Sequence, residues 1–253
     1  MKLSTIAEAR ESFAKGVAAR THSSVLLAPT VLTQGSLFRC GTGPRAVYTE
    51  ETLLESNAGQ LVYQEAGEEL RQDDQRVVLA LMKLAEGKRA EADIEFNMRS
   101  FVVNELGKAD SSTSVASLKA SLIRLQKARL HVVALDFDGY YSLVSNVTFA
   151  KGECIVNISK KAYELMGQSQ LASLNKETRL AMKDGIESWL YTFIRGNACL
   201  CTFQQERMQE ICGLTSYESK EFARLLRKTL TGLQAQEIIR GFTLVGGTLK
   251  IKR

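Results

Sequence analysis

The chain has 253 residues, 45% of them hydrophobic and 24% charged, an ordinary globular composition with length for one large domain or two ordinary ones. It has no run of eighteen apolar residues, which excludes a membrane-spanning helix. The net charge of +5 is unevenly spread: residues 1–170 hold 20 Lys+Arg against 20 Asp+Glu, and residues 171–253 hold 13 against 8. A cationic final third suits an anionic partner such as nucleic acid. At the start, "MKLSTIAEARESFAKGVAAR" sets Glu8 and Glu11 where a secretion signal needs an apolar core. A cytoplasmic protein is therefore expected, with Cys40, Cys154, Cys199, Cys201 and Cys212 as reduced thiols.

Both prolines, Pro29 and Pro44, fall in the first 45 residues beside Gly35, Gly41 and Gly43. Residues 1–45 read as a tail or linker with room for a short helix over residues 4–19. In "RQDDQRVVLALMKLAE", Val77, Val78, Leu81 and Leu84 recur at helical spacing. A strand "DIEF" follows, then a brief helix "MRSFVVNELG" stopping at Gly107. "SSTSVASLKASLIRLQKA" makes a longer helix whose leading serines can cap it. "RLHVVALDF" and "YYSLVSNVTFA" read as a hairpin turning at Asp138-Gly139, and "ECIVNIS" after Lys151-Gly152 extends it to a meander.

The second half repeats this order. "KETRLAMKDGIESWLYTFIRG" reads as one long helix and "FQQERMQEICG" as a short one stopped by Gly213. "SYESKEFARLLRKTLTGLQ", residues 216–234, reads as a longer third helix capped at Ser216. "EIIRGFTLV" and "TLKIKR" then form a hairpin around Gly246-Gly247. Leu118, Leu122 and Leu125 match Leu226, Leu230 and Leu233 at a constant offset of 108. The expected fold is α+β, two tandem winged-helix domains over residues 46–165 and 166–253, both offered to DNA and the second carrying the main DNA recognition.

In such a domain the third helix enters the major groove and the hairpin wing lies on the backbone. On the second third helix, Phe222, Ala223, Leu226, Leu230 and Leu233 cluster on one side. The other side carries Tyr217, Lys220, Arg224, Arg227, Lys228 and Thr231, with Glu221 intruding. Arg240, Lys250, Lys252 and Arg253 make the hairpin basic. The first third helix is more dilute, offering Thr113, Lys119, Arg124 and Lys127 among small residues. Alone, a charged helix flank is most often solvated surface, and the repeated context favours DNA.

Catalytic patterns are absent. His22 and His131 are far apart, and "CLC" at 199–201 has no second pair to complete a zinc site. "GTGPR" lacks the spacing and the Lys-Ser/Thr ending of a phosphate loop, and Asp136 and Asp138 suit a turn. No enzyme activity, cofactor or metal is expected.

From about Val31 to near the C-terminus the chain resembles the TrfA-type replication initiators of broad-host-range plasmids. The resemblance rests on "VLTQGSLF", "EELRQDDQRVVLALMKLA", "EFNMRSFVVNELGK", "SLKASLIRLQKARLHV" and "LCTFQQERMQEICGLTSYESKEFARLLRKTLTGL", in this order and spacing. It implies binding of double-stranded DNA at iteron repeats of an origin, with opening of an AT-rich region. It also implies recruitment of host replication proteins (initiator, replicative helicase and sliding clamp), a monomer–dimer equilibrium with the first domain (residues 46–165) mediating dimerisation, and association with plasmid or nucleoid DNA. "QGSLF" looks like a clamp-docking peptide through Gln34, Leu37 and Phe38, unless Leu37 and Phe38 simply pack on the first domain. The alternative reading is a winged-helix transcriptional repressor.

Overall fold

The computed structural model describes residues 24–57, 61–89, 91–134, 137–160, 162, 171–197 and 202–252. The short helix expected over residues 4–19, His22, Asp136, Cys199, Cys201 and Arg253 lie outside the described residues. The expected α+β class holds, and one helix–strand–helix–helix–hairpin order occurs twice.

In the first unit, α1 (Gln72–Ala85) places Asp73 and Asp74 in its first turn, where the helix dipole favours negative charge. The Asp74 carboxylate also accepts from the Arg71 backbone N–H at 2.9 Å, closing the helix start. Strand β5 (Ile94–Asn97) leads into α2 (Met98–Asn104), capped by Asn97, whose side chain accepts from the Arg99 and Ser100 N–H groups. The longer α3 (Ser112–Lys127) is capped by Ser111, which accepts from Ser114 N–H. Its Leu118, Leu122 and Leu125 are fully buried. Strands β8 (Val144–Ala150) and β9 (Glu153–Ile158) close the unit in a three-stranded sheet of order β5-β9-β8.

The second unit consists of α5 (Ile186–Gly196), β11 (Thr202–Gln204), α6 (Gln205–Ile211), α7 (Ser219–Ala235), β12 (Gly241–Val245) and β13 (Thr248–Lys252). Its sheet order, β11-β13-β12, is that of the first unit. Leu226, Leu230 and Leu233 are buried like their counterparts. The offset of 108 also relates Leu106 to Leu214, both buried just after the short helix of their unit. Between the units lie β10 (Leu171–Asn175) and α4 (Lys176–Ala181).

Four local expectations are corrected. Asp138-Gly139 is not a turn: both residues lie in β7 (Phe137–Tyr141), opposite Val133 and Val132 of β6 (Arg129–Ala134). That hairpin is an insertion, paired through β6 to β4 (Leu61–Glu68), which also takes β2 (Val47–Tyr48) and β3 (Thr52–Leu54). The wing-like hairpin of the first unit is β8–β9, and the expected meander is divided between two sheets. The single long helix over 176–196 is broken into α4 and α5: the backbone turns extended at Met182 (ψ 145), and α5 starts only after Gly185, at φ 140. The helix expected from Ser216 starts at Ser219 after Glu218, and no side chain caps it.

The largest correction concerns the expected tail. β1 (Val25–Pro29) pairs antiparallel with β10 across the molecule, and every residue from 28 to 38 is buried. The first half grips this strap through Gln75, donating to Leu32 O at 2.7 Å, and Gln72, donating to Phe38 O at 2.7 Å. The second half grips it through Trp189 Nε1, donating to Gly35 O at 3.1 Å, and Cys40 N–H donates to Cys212 O at 3.0 Å. Gln34 donates to Gly196 O at 2.5 Å, and Leu37 and Phe38 are only 4% and 1% exposed. The expected clamp peptide is thus core: the side chains a clamp pocket would take are already packed between the two halves. Apolar burial explains the segment, since a Leu-Phe pair gains more from the core than from water.

Buried charges complete the interior. Asp74 meets Arg45 at 2.8 Å and Arg124 at 2.8 Å, and accepts from the Ser121 hydroxyl. Burial and the adjacent Asp73 raise its pKa against the pull of Arg124 and Arg45. Arg179 is fully buried, and burial followed by the neighbouring Arg76 lowers its pKa to about 10.

Candidate nucleic-acid interface

The outward face of α7 is built by its leucine stripe. Burying Phe222, Ala223, Leu226, Leu230 and Leu233 leaves Lys220, Arg224, Arg227, Lys228 and Thr231 exposed on the same helix. Tyr217 is exposed just before the helix, where Gln209 Nε2 donates to its carbonyl at 2.6 Å. The uncapped start of α7 keeps first-turn N–H groups open to an anionic acceptor. From α7 through Lys252 the sequence holds seven cations against Glu221 and Glu237. None of the seven forms an ion pair with a described residue, whereas Arg45, Arg71, Arg76, Arg124, Arg179 and Arg207 all do.

The hairpin extends this charge. Strand alternation buries Leu249 and Ile251 and exposes Lys250 and Lys252 on the opposite face. Lys250 stands between Thr243 and Thr202, both exposed on neighbouring strands. The exposed Arg240 donates its N–H to Lys252 O at 2.8 Å, and Arg227 Nη2 reaches Leu244 O at 3.5 Å, linking helix to hairpin. The turn needs two left-handed residues, supplied by Gly246 at φ 54 and Gly247 at φ 76. Beside it Val245 is 76% exposed, and Gln205 N–H holds the turn through Gly247 O at 2.8 Å.

The first unit presents a different helix. Thr113 and Lys127 are exposed on α3, and Lys119 Nζ lies 5.4 Å from the Phe149 ring centre on β8. Arg124, expected on the DNA face, is turned inward with its side chain 13% exposed, held by Asp73 and Asp74. Its guanidinium neutralises a buried carboxylate, so it is unavailable to phosphate or base. What α3 exposes is Ser112, Thr113, Ala116, Ser117, Ala120, Ile123 and Lys127, a nearly uncharged face.

Arg207 was not singled out by the sequence. It fastens α6 to the first half, donating from Nη1 to Glu55 at 2.5 Å and from Nη2 to Ser56 O at 3.0 Å. No local signal marks it, because these partners lie about 150 residues away in the chain. Among the described residues no group of three or more His, Cys, Asp or Glu is placed to hold a metal ion. No helix among them is long and apolar enough to cross a membrane.

The class defined by this architecture is an α+β chain of two like units with an inserted sheet and a buried strap. The particular likeness is to domains 2 and 3 of RctB. A crystal structure of selenomethionine derivatives of those domains matches with a TM-score of 0.63, covering 89% of this chain and 98% of that one at 13% identity. A second crystal structure of RctB domains 2–3 matches with a TM-score of 0.55, covering 81% and 83% at 13% identity. At such identity the likeness is one of fold. No protein-family profile and no curated protein sequence matches the chain.

Proposed function

We propose that this protein is a non-enzymatic, sequence-specific DNA-binding initiator of replication, built from two winged-helix units. The observation that carries the reading is the cationic face of α7, without an ion pair among the described residues and continuous with a basic hairpin. In a winged helix that face enters the major groove, where Arg224 and Arg227 meet base edges and Lys220 and Lys228 meet phosphates. Lys250, Lys252 and Arg240 lie along the backbone, and Thr113, Lys119 and Lys127 of α3 add a weaker second contact. The likeness to RctB domains 2–3 is one of fold, and origin DNA as the target is part of the proposal. Iteron repeats, opening of an AT-rich stretch, recruitment of host replication proteins and a monomer–dimer equilibrium complete the proposed role.

A footprint on the DNA flanking the protein's own gene tests it. Direct repeats protected beside an AT-rich stretch are expected, whereas a lone inverted repeat over a promoter would assign a repressor. Arg224→Ala or Arg227→Ala is expected to weaken that binding by about 1–3 kcal/mol and relax the preference at one base pair. Unchanged affinity in a folded double variant would remove α7 from the groove.

A further inference from the structure

The inserted sheet has an outer face of unusual composition. Its inner face packs Leu54, Val62, Leu130 and Val132 into the core. Strand alternation then turns Leu53, Leu61, Tyr63, His131 and Tyr140 outward. The outer face of such an antiparallel sheet is ordinarily polar. Here Val47, Leu53, Leu61 and Tyr140 are 46–67% exposed, four of the nine large apolar side chains so exposed among the described residues. Apolar residues gathered in a patch, unlike those scattered singly, mark an interaction site.

The middle of this face is ordered in advance. Tyr63, His131 and Tyr140 stack across β4, β6 and β7, with ring centres 5.4 Å and 4.1 Å apart. Glu51 and Asp138 hold the imidazole from its two sides at 2.5 Å and 2.9 Å. Rings already fixed lose little conformational freedom when a partner covers them. Arg129 shows which group suits them: its guanidinium lies 5.6 Å from the Tyr140 ring centre while its Nε pairs with Glu65 at 2.7 Å.

Charge selects the partner. Residues 46–70 contain six glutamates and no Lys, Arg or Asp, in a chain of net charge +5. Glu55, Glu65 and Glu69 are matched by Arg207, Arg129 and Arg71. Glu50 and Glu68 are exposed and form no ion pair with a described residue, and the exposed Asp138 pairs only with His131 among them. A second copy placed face to face by a twofold axis would set these carboxylates against their own equivalents. Single-stranded nucleic acid could stack on the rings, but it would bring phosphates to the same carboxylates.

We infer that the outer face of the inserted sheet docks a basic segment of another protein. Arginines of that segment stack on Tyr63 and Tyr140, and its apolar side chains cover Leu53 and Leu61. The inference does not depend on the DNA-binding reading, whose main cations lie on α7 and its hairpin. DNA and this partner then compete for no side chain.

The test uses the full chain and a short synthetic peptide alternating arginine with leucine and tryptophan, labelled for fluorescence anisotropy. A control peptide carries glutamate at every arginine. Saturable binding of the arginine peptide is expected, with the control weaker by about tenfold or more. Leu53→Ser combined with Tyr140→Ser is expected to lower affinity about tenfold, and because both side chains are exposed the fold is kept. Glu50→Gln combined with Glu68→Gln is expected to flatten the salt dependence of binding. Equal binding of the two peptides overturns the inference, and so does undiminished affinity in the Leu53/Tyr140 variant, which would put the peptide elsewhere. Sedimentation of the parent alone tests another occupant: a dimer abolished by that same variant would give the face to a second copy. Binding of labelled oligothymidine that the variant abolishes would give it to nucleic acid. Either result overturns the inference.

Discussion

Arg124 and Arg227 each sit on a leucine-striped third helix, and their surroundings give them opposite tasks. Arg124 is bonded to the fully buried Asp74, so Arg124→Ala is expected to cost about 3 kcal/mol of stability, read from the urea midpoint. The folded fraction of that variant should bind DNA like the parent. Helical periodicity placed both arginines on the outer face, because a local pattern carries no record of an aspartate 50 residues upstream. His131 makes a pH-dependent contribution. It bonds to Glu51 at 2.5 Å and Asp138 at 2.9 Å and stacks on Tyr140 at 4.1 Å between ring centres. The Glu51 bond leads the causes that raise its pKa above the usual imidazole value. A raised imidazole stabilises most while it is protonated in both states, below the unfolded value, and that share disappears as pH climbs through the folded value. The melting temperature of the parent should therefore fall over that window more than that of His131→Gln. Equal slopes would show the two carboxylate bonds to be inconsequential.

At the scale of elements, α7 and the β12–β13 hairpin divide DNA recognition between them. Lys250→Ala or Lys252→Ala is expected to weaken all duplexes alike and to reduce the slope of log affinity against log salt by about 1 each. A change confined to one sequence would mean that these lysines read bases. The second unit was largely legible in the sequence, because its leucine stripe, its Gly246-Gly247 turn and its alternating β13 are local signals. The first unit was less so. Asp138-Gly139 has the composition of a tight turn, yet cross-strand pairing with Val133 and Val132 holds it in mid-strand. Over 176–196 the error ran the other way: the pattern reads as one helix, yet the backbone leaves it at Met182, ψ 145, and resumes after Gly185.

For the whole molecule, the repeated units were visible as a constant offset, whereas the join between them was not. Prolines and glycines made residues 1–45 look like a linker, and from Ser24 on the segment is instead the bolt through the interior. Trp189, the single tryptophan, is buried against Gly35 of that segment and so reports on the join itself. Its fluorescence and far-UV circular dichroism should follow one denaturation curve, as a single cooperative body requires. Phe38→Ala is expected to lower stability by about 3–5 kcal/mol and to shift both probes together. Separation of the two curves in the parent would mean that the halves unfold independently.

The strap also has a consequence for biosynthesis. Val25 faces Asn175, so β1 leaves the ribosome 150 residues ahead of the strand that completes it. Until then Leu26, Val31, Leu32, Leu37 and Phe38 have only half of their apolar surroundings, and the nascent chain carries a sticky, unpaired edge. Final assembly is thereby deferred until the second half has been made, a late and non-local step that favours slow folding and a need for chaperone shielding. A fragment ending near residue 165 would stay in that unfinished condition permanently.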